Sequence, residues 1–407
     1  MIWKTLILIS ILFLANCYSI SLTTAYDQTK AVKDTNTVTF DSTLKASTVI
    51  KEMGMGWNLG NTLDSHNNNG LNEGVSTETS WGNPLTTSTM IANIVSKGFK
   101  TIRIPVTWHN HLVDYSYTID PNWMNRVKEV VDMCISNGLY VILNVHHDQS
   151  DYGVSYGKGY YPMSNQLAES ERFLLNIWSQ ITVAFNNGYD HHLIFEALNE
   201  PRLKGLSQEW YYDGSSNAED AIQSIMEYNN LIHYVIRSSG GNNKLRFLMY
   251  TSGAAAFSYV SASSFSLPDD STWSPKTKRL FASVHMYSPY NFALNADTSY
   301  STFTDAYKTE LESNFQALYE KFVQNGYYVI IGEMGACDKK NDDERIKWGQ
   351  YFVERARKLK MVPVIWDNNV YNTNWNAEEK FGLFQRSAGT WASETYVNAL
   401  ITASQKY

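Results

Sequence analysis

The chain has 407 residues, a net charge of -7, and 43% hydrophobic against 18% charged positions. That balance suits a globular protein and excludes a disordered one. The absence of a long basic run argues against nucleic acid or an anionic membrane surface as partner. Aromatic residues make up 14%, with 12 Trp and 27 Tyr, a richness that points to flat stacking surfaces as well as to core.

The first 25 residues, "MIWKTLILISILFLANCYSISLTTA", place Lys4 before an apolar stretch and small residues after it. This is the pattern of a secretory signal peptide. The stretch is too short for a membrane span, which needs about 20 apolar residues. A secreted, extracellular protein is expected, cleaved near Ser19 or Ala25. Removal of Cys17 would leave Cys134 and Cys337, too few for a disulfide framework, so both are expected to be free. Residues 26–45 are polar and read as a leader or short linker. From residue 46 to 407 a single domain is expected, with no internal repeat.

Eight short apolar runs then follow in order: "GMGWNLG" (54–60), "KTIRIPV" (100–106), "YVILNVHH" (140–147), "LIFEALNE" (193–200), "RFLMYTS" (246–252), "LFASVHMY" (280–287), "VIIGEMG" (329–335) and "MVPVIWDN" (361–368). Amphipathic, helix-length stretches separate most of them, at 124–136, 169–185, 218–238, 305–324 and 343–358. Continuous apolar strands alternating with helices imply a parallel sheet covered on its outer face. Eight such units predict an α/β fold of the (β/α)8 TIM-barrel type with long loops. An open doubly wound sheet is the alternative, but no Gly-rich phosphate loop follows the first strand.

In such a barrel the chemistry gathers at the C-terminal strand ends. Those ends carry Asn58 and Asn61, then Arg103 leading to Trp108, then His146 and His147. Asn199 and Glu200, His285 and Tyr287, Glu333, and Trp366 with Asp367 follow. Any one of these alone reads as a satisfied core group; so many together do not. The two glutamates, on strands four and seven, can flank a ligand lying over the mouth. Paired carboxyls of this kind suit glycoside hydrolysis, one protonated as acid and one ionised as nucleophile. Arg103 and the histidines are expected to hold Glu333 as the anion. Glu200, beside Asn199, is expected to be pushed upward and fixed at the rim by a strand that Pro201 ends.

No metal site is expected. Adjacent His146 and His147 should point to opposite faces of a strand. His109 and His111 read as a solvated pair, and no His-Glu-x-x-His occurs. "GVSYG" (153–157) matches a Ser-centred elbow by letter only, since it sits in a Gly- and Tyr-rich loop. Trp57, Trp81, Trp108, Tyr287 and Trp366 fall at or near strand ends, where rings can stack on the apolar faces of sugars.

Taken together, "GMGWNLGNTLD" (54–64), "WGNP" (81–84), "IRIPVTW" (102–108), "VILNVHHD" (141–148), "FEALNEPR" (195–202), "VHMYSP" (284–289), "IGEMGA" (331–336) and "PVIWDN" (363–368) make the chain resemble the family 5 glycoside hydrolases, retaining cellulases of clan A. The resemblance runs in order over nearly the whole mature chain. It implies Glu200 as acid/base and Glu333 as nucleophile, with Arg103 and Tyr287 orienting Glu333. It further implies that Asn199 binds a sugar hydroxyl, that His146, His147 and His285 line the site, and that Trp366 stacks under the sugar. Asn61 and Trp81 join the expected substrate-binding set, and the Trp366–Asp367 peptide is expected to be cis. The expected activity is that of an endo-β-1,4-glucanase acting as a monomer on a β-glucan, with no cofactor. Xyloglucan, mixed-linkage glucan, β-mannan or xylan are the alternative substrates. A non-catalytic glycan-binding barrel is disfavoured because both glutamates are present.

Overall fold

Each of the eight apolar runs forms a strand: β1 Gly56–Asn58, β2 Thr101–Ile104, β3 Tyr140–Asn144, β4 Leu193–Glu196, β5 Leu248–Tyr250, β6 Leu280–Met286, β7 Tyr328–Met334 and β8 Met361–Ile365. The computed structural model describes residues 26–151, 159–273, 278–371 and 380–407. The leader 1–25 and the "GVSYG" stretch lie outside the described residues. Every strand pairs in parallel with the next, and Gly56 of β1 lies opposite Val364 of β8, so the sheet closes into a barrel. The helices are α1 Ala46–Glu52, α2 Ser88–Lys97, α3 Pro121–Ser136, α4 Leu167–Ala184, α5 Ser216–Ser238, α6 Phe257–Ser261, α7 Tyr290–Ala293, α8 Asp305–Lys321, α9 Asp342–Lys358 and α10 Glu394–Ser404. This is a single (β/α)8 TIM barrel. A hairpin of β9 Phe384–Gln385 and β10 Thr390–Trp391 follows β8.

The helices start where capping chemistry allows. The Thr87 side chain accepts from the Met90 N–H ahead of α2, and Asp120 caps α3, whose first residue is Pro121. Gly98, at φ 111°, ends α2 in a conformation that side chains resist.

Alternation along the strands sorts the interior by height. Outward positions such as Ile102, Val141, Leu143 and Phe195 join the layer between sheet and helices. Inward positions at the N-terminal end, including Ile142, Ile194, Met249, Phe281, Ile330 and Val362, form a separate apolar plug. One step up each strand, the same inward phase delivers Asn58, Arg103, Asn144, Glu196 and Ser283, all fully buried. The barrel is therefore apolar at its floor and polar beneath its mouth.

Residues 26–45 do more than lead into the barrel. The Asp34 and Val38 amides donate to the Val183 and Asn187 carbonyls at the end of α4. Phe40, 6% exposed, joins Ala46, Val49 and Ile50 of α1 in the floor plug. The expected linker is a strap docked across the closed end.

Candidate active site

Arg103 is the hub of the mouth. It is completely buried, and its three nitrogens donate to four residues. Nε donates to Glu196 Oε2 at 2.7 Å, and Nη1 to Asn58 Oδ1 at 3.0 Å and Glu333 Oε1 at 2.8 Å. Nη2 donates to Asn199 Oδ1 at 2.7 Å. A guanidinium suits this task because its donors sit in one rigid plane. Burial works against its charge, but Glu196 and Glu333 more than restore it, so its pKa is raised. Glu196 is itself saturated, accepting also from Ser283 Oγ at 2.6 Å and Asn144 Nδ2 at 3.0 Å. Glu196 is a buried site residue absent from the expected set. Its signal was present: it stands two residues beyond inward-facing Ile194 and so points into the barrel.

Glu333 reaches the mouth through an irregularity. The pairing registers of β6 and β7 shift between Val284 and His285, and those of β7 and β8 between Ile331 and Met334. Strict alternation from Ile330 would turn Glu333 outward; the bulge re-aims it inward. Gly332 fits there because an added Cβ would lie 3.3 Å from both Glu196 Oε1 and His285 Nε2. Tyr287 Oη donates to Glu333 Oε2 at 2.8 Å.

Glu200 stands four residues beyond the end of β4 at Glu196, so no strand carries it. Backbone bonds across the mouth hold it instead. The Ala197 amide donates to the Met249 carbonyl, the Asn199 amide to Val145, and the Ala254 amide to Pro201. Gln149 Nε2 also donates to the Glu200 carbonyl. His285 Nδ1 sits 2.7 Å from Glu200 Oε1 and 3.6 Å from Glu333 Oε2. Glu200, His285 and Glu333 thus offer oxygen and nitrogen atoms all within 4.8 Å of one another.

Their electrostatics depart from expectation. Burial pushes Glu200 up, but the His285 hydrogen bond and charge, with Arg202, outweigh it and hold the carboxyl below its ordinary value. Burial, helped by the charge of Glu200, leaves Glu333 above its ordinary value against the pull of His285, Arg103 and the Tyr287 hydrogen bond. His285 serves Glu333 as expected, through its charge at 3.6 Å, but its hydrogen bond goes to Glu200. Burial lowers His285, yet Glu333 and Glu200 leave it raised overall. His146 is depressed mainly by burial, and His147 is pushed down to about 3 by the same cause, so both stay neutral.

The remaining expected residues line the cleft. Trp366 is partly exposed, and its ring lies parallel to that of His146, with centroids 6.2 Å apart. An added Cβ at Gly60 would meet the Trp366 ring at 2.7 Å, so the first loop packs directly under the indole. Asp367 fixes this platform by accepting from Trp57 Nε1 at 2.9 Å and from the Phe384 amide at 2.8 Å. Arg386 Nη2 donates to its carbonyl at 2.6 Å. Trp81 Nε1 donates to the His66 carbonyl at 2.9 Å, and its ring centroid lies 5.7 Å from that of His147. It borders a cavity of about 730 Å³ with His66, His109, His147 and Arg202. Asn61 adopts a left-handed φ of 56°. Its amide donates to Asp64 Oδ2 at 3.1 Å, and its carbonyl accepts from Asn83 Nδ2 at 2.6 Å.

Four further expectations change. His146 and His147 do not diverge, because β3 ends at Asn144; both offer a nitrogen within 4.8 Å of an Asp64 oxygen. His111 is not solvated but buried, stacked on Trp123 with centroids 3.6 Å apart. Trp57 and Trp108 are fully buried and so serve the core, not a sugar. The Trp366–Asp367 peptide is trans; the cis bond among the described residues is Ser288–Pro289.

A closed parallel barrel with two carboxyls gripped across its mouth defines a glycoside hydrolase. The family model for cellulase (glycosyl hydrolase family 5) matches residues 63–372. Endoglucanase A of Clostridium longisporum is 42% identical over 360 residues, covering 88% of this chain and 65% of its own length. Endoglucanase 1 of Ruminococcus albus is 39% identical over 376 residues, covering 92% and 84%. Among solved structures, the family 5 lichenase of Caldicellulosiruptor sp. F32, in a mutant complex with cellotetraose, superposes with a TM-score of 0.83 at 37% identity. It covers 91% of this chain and 98% of that one. A broad-specificity endoglucanase of Ruminococcus champanellensis with bound cellotriose gives 0.79 at 38%, covering 88% and 98%. The chain belongs to glycosyl hydrolase family 5, the cellulase family.

Proposed function

We propose that this protein is a secreted endo-β-1,4-glucanase that cleaves internal bonds of cellulose and related β-glucans with retention of configuration. The observation that carries the mechanism is the approach of the two carboxyls, whose oxygens come within 4.8 Å. Inverting enzymes need roughly 6.5–9.5 Å, to admit a water between the groups. Here Glu333 is the nucleophile. Arg103 Nη1 and Tyr287 Oη each donate to one of its oxygens, which orients the lone pairs and stabilises the anion. Glu200 is the acid that protonates the leaving oxygen and then the base that activates water.

The two carboxyls and His285 titrate as one unit. A sugar oxygen set against Glu200, with water driven from the cleft, moves their shared proton onto Glu200. When Glu333 becomes an ester it loses its charge, and Glu196 remains as the counter-charge to Arg103. Asn199, held by Arg103 Nη2, offers its amide to a sugar hydroxyl, and Trp366 gives the ring a flat seat. The relatives include enzymes described as lichenases and as broad-specificity endoglucanases, which supports mixed-linkage glucan as a second substrate. Export rests on the pattern of residues 1–25.

Glu333→Gln keeps the shape and removes the charge. It is expected to lower kcat by several orders of magnitude on cello-oligosaccharides. An NMR time course with the unaltered enzyme should show the β anomer first. Near-normal turnover of the variant, or an α anomer as first product, would overturn this mechanism.

A further inference from the structure

At the opposite end of the barrel from the mouth, Asp190, His191 and His192 form the turn that leads into β4. Their side chains offer ligand atoms that all lie within 4.8 Å of one another. His192 Nδ1 is 2.9 Å from Asp190 Oδ1, and His191 Nδ1 is 3.7 Å from Asp190 Oδ2. Ligands held about 2.0–2.1 Å from a tetrahedral ion stand roughly 3.3 Å apart, which these two separations bracket.

The turn is built rather than loose. The Asp190 carbonyl accepts from Nη1 of buried Arg246 at 3.0 Å, and the His192 carbonyl accepts from the Val141 amide at 2.7 Å. The His192 amide donates to Asp190 Oδ1 at 2.9 Å, which fixes the carboxylate. Tyr140 lies against the His192 ring with centroids 4.7 Å apart, and Phe40 meets the His191 ring edge-on at 6.2 Å. Tyr140 Oη donates to Glu52 Oε2 at 2.6 Å, so a further carboxylate stands beside the pair. The three side chains still keep 29%, 21% and 33% of their surfaces open, enough for an ion to enter.

We propose that this turn binds one transition-metal dication, with Asp190, His191 and His192 as ligands and water completing the shell. Two imidazoles and one carboxylate select zinc, nickel or copper over calcium or magnesium. The ion would brace the α4–β4 turn on itself, raising the stability of the folded state by mass action and leaving turnover unchanged. Asp64, His146 and His147 form a second close grouping in the cleft. An ion there would block sugar binding, so the two sites differ in their effect on hydrolysis.

The test is calorimetric titration of the purified protein with zinc, nickel and calcium chlorides, with melting temperature and hydrolysis rate measured alongside. Zinc and nickel should bind at one equivalent and raise Tm by roughly 3–6 °C at a hundredfold excess over Kd. Calcium should do neither, and hydrolysis should be unaffected. His191→Gln, and separately His192→Gln, should weaken binding at least about tenfold while the metal-free Tm stays in place. The proposal is overturned by the absence of any zinc or nickel shift, by an equal shift with calcium, or by binding that survives in whichever of the two variants folds. Survival together with inhibited hydrolysis would identify an adventitious ion only, held in the cleft.

Discussion

At the scale of single residues, the mouth is organised around a cation with no spare donor geometry. Arg103 holds two carboxylates, Glu333, the proposed nucleophile, and Glu196, which the proposed chemistry leaves unchanged. Lysine would keep the charge but bring one nitrogen to a place that uses three. Arg103→Lys is therefore expected to cost about 3–5 kcal/mol in urea unfolding, because buried Glu196 and its neighbours lose partners. Activity should fall with it; an unchanged unfolding midpoint would refute the hub. Asp64 gives a pH signature. Burial, opposed by the Thr62 and Asn61 amides, pushes it up from the ordinary carboxylate range to about 6. Folding thus favours the protonated form. That advantage is complete below about pH 4 and is lost as pH rises to about 6, a change of roughly 3 kcal/mol. In Asp64→Asn the pH dependence of unfolding should flatten across that window; an unchanged slope would contradict the assignment.

At the scale of elements, the eight strands were legible because fully buried parallel strands are continuous apolar runs, and "YVILN" and "LFASVHM" admit no other reading. Their ends were not. β4 stops at Glu196 rather than Glu200, and the backbone of 197–201 is held by bonds to Val145 beyond β3, Met249 of β5 and Ala254 beyond β5 that no local pattern reveals. The β6–β7 bulge that turns Glu333 inward is likewise a property of pairing, not of composition. The strap was hidden for a different reason. Most of its residues are polar, and it docks through scattered contacts: its amides, the Asp34 carboxylate, carbonyls that accept from Arg279, and the ring of Phe40. Phe40→Ala should lower stability by about 3 kcal/mol by chemical denaturation, as removal of a buried ring from a plug does. A loss under about 0.5 kcal/mol would mean that the floor closes without the strap.

At the scale of the whole molecule, polar height within the barrel divides labour. The floor stabilises, and the mouth reacts. Strand order placed Glu200 and Glu333 near the same rim of a closed barrel, but their approach depends on the 197–201 segment beyond β4 and on the β7 bulge, which strand order does not reveal. The identity of the polysaccharide was not legible, because the long loops rather than the strands shape the cleft. Purified protein lacking residues 1–25 is expected to release reducing ends from carboxymethylcellulose and mixed-linkage glucan faster than from mannan or xylan. Faster release from mannan or xylan would keep the mechanism and replace the substrate.

The plugged floor also settles a question of topology. A barrel sealed at one end cannot be threaded, so a polymer can only lie across its open face like a rope over a pulley. Nothing in that arrangement asks the rope for a free end. On the proposed function, a long glucan chain would be gripped where it touches, cut there, and released in two pieces.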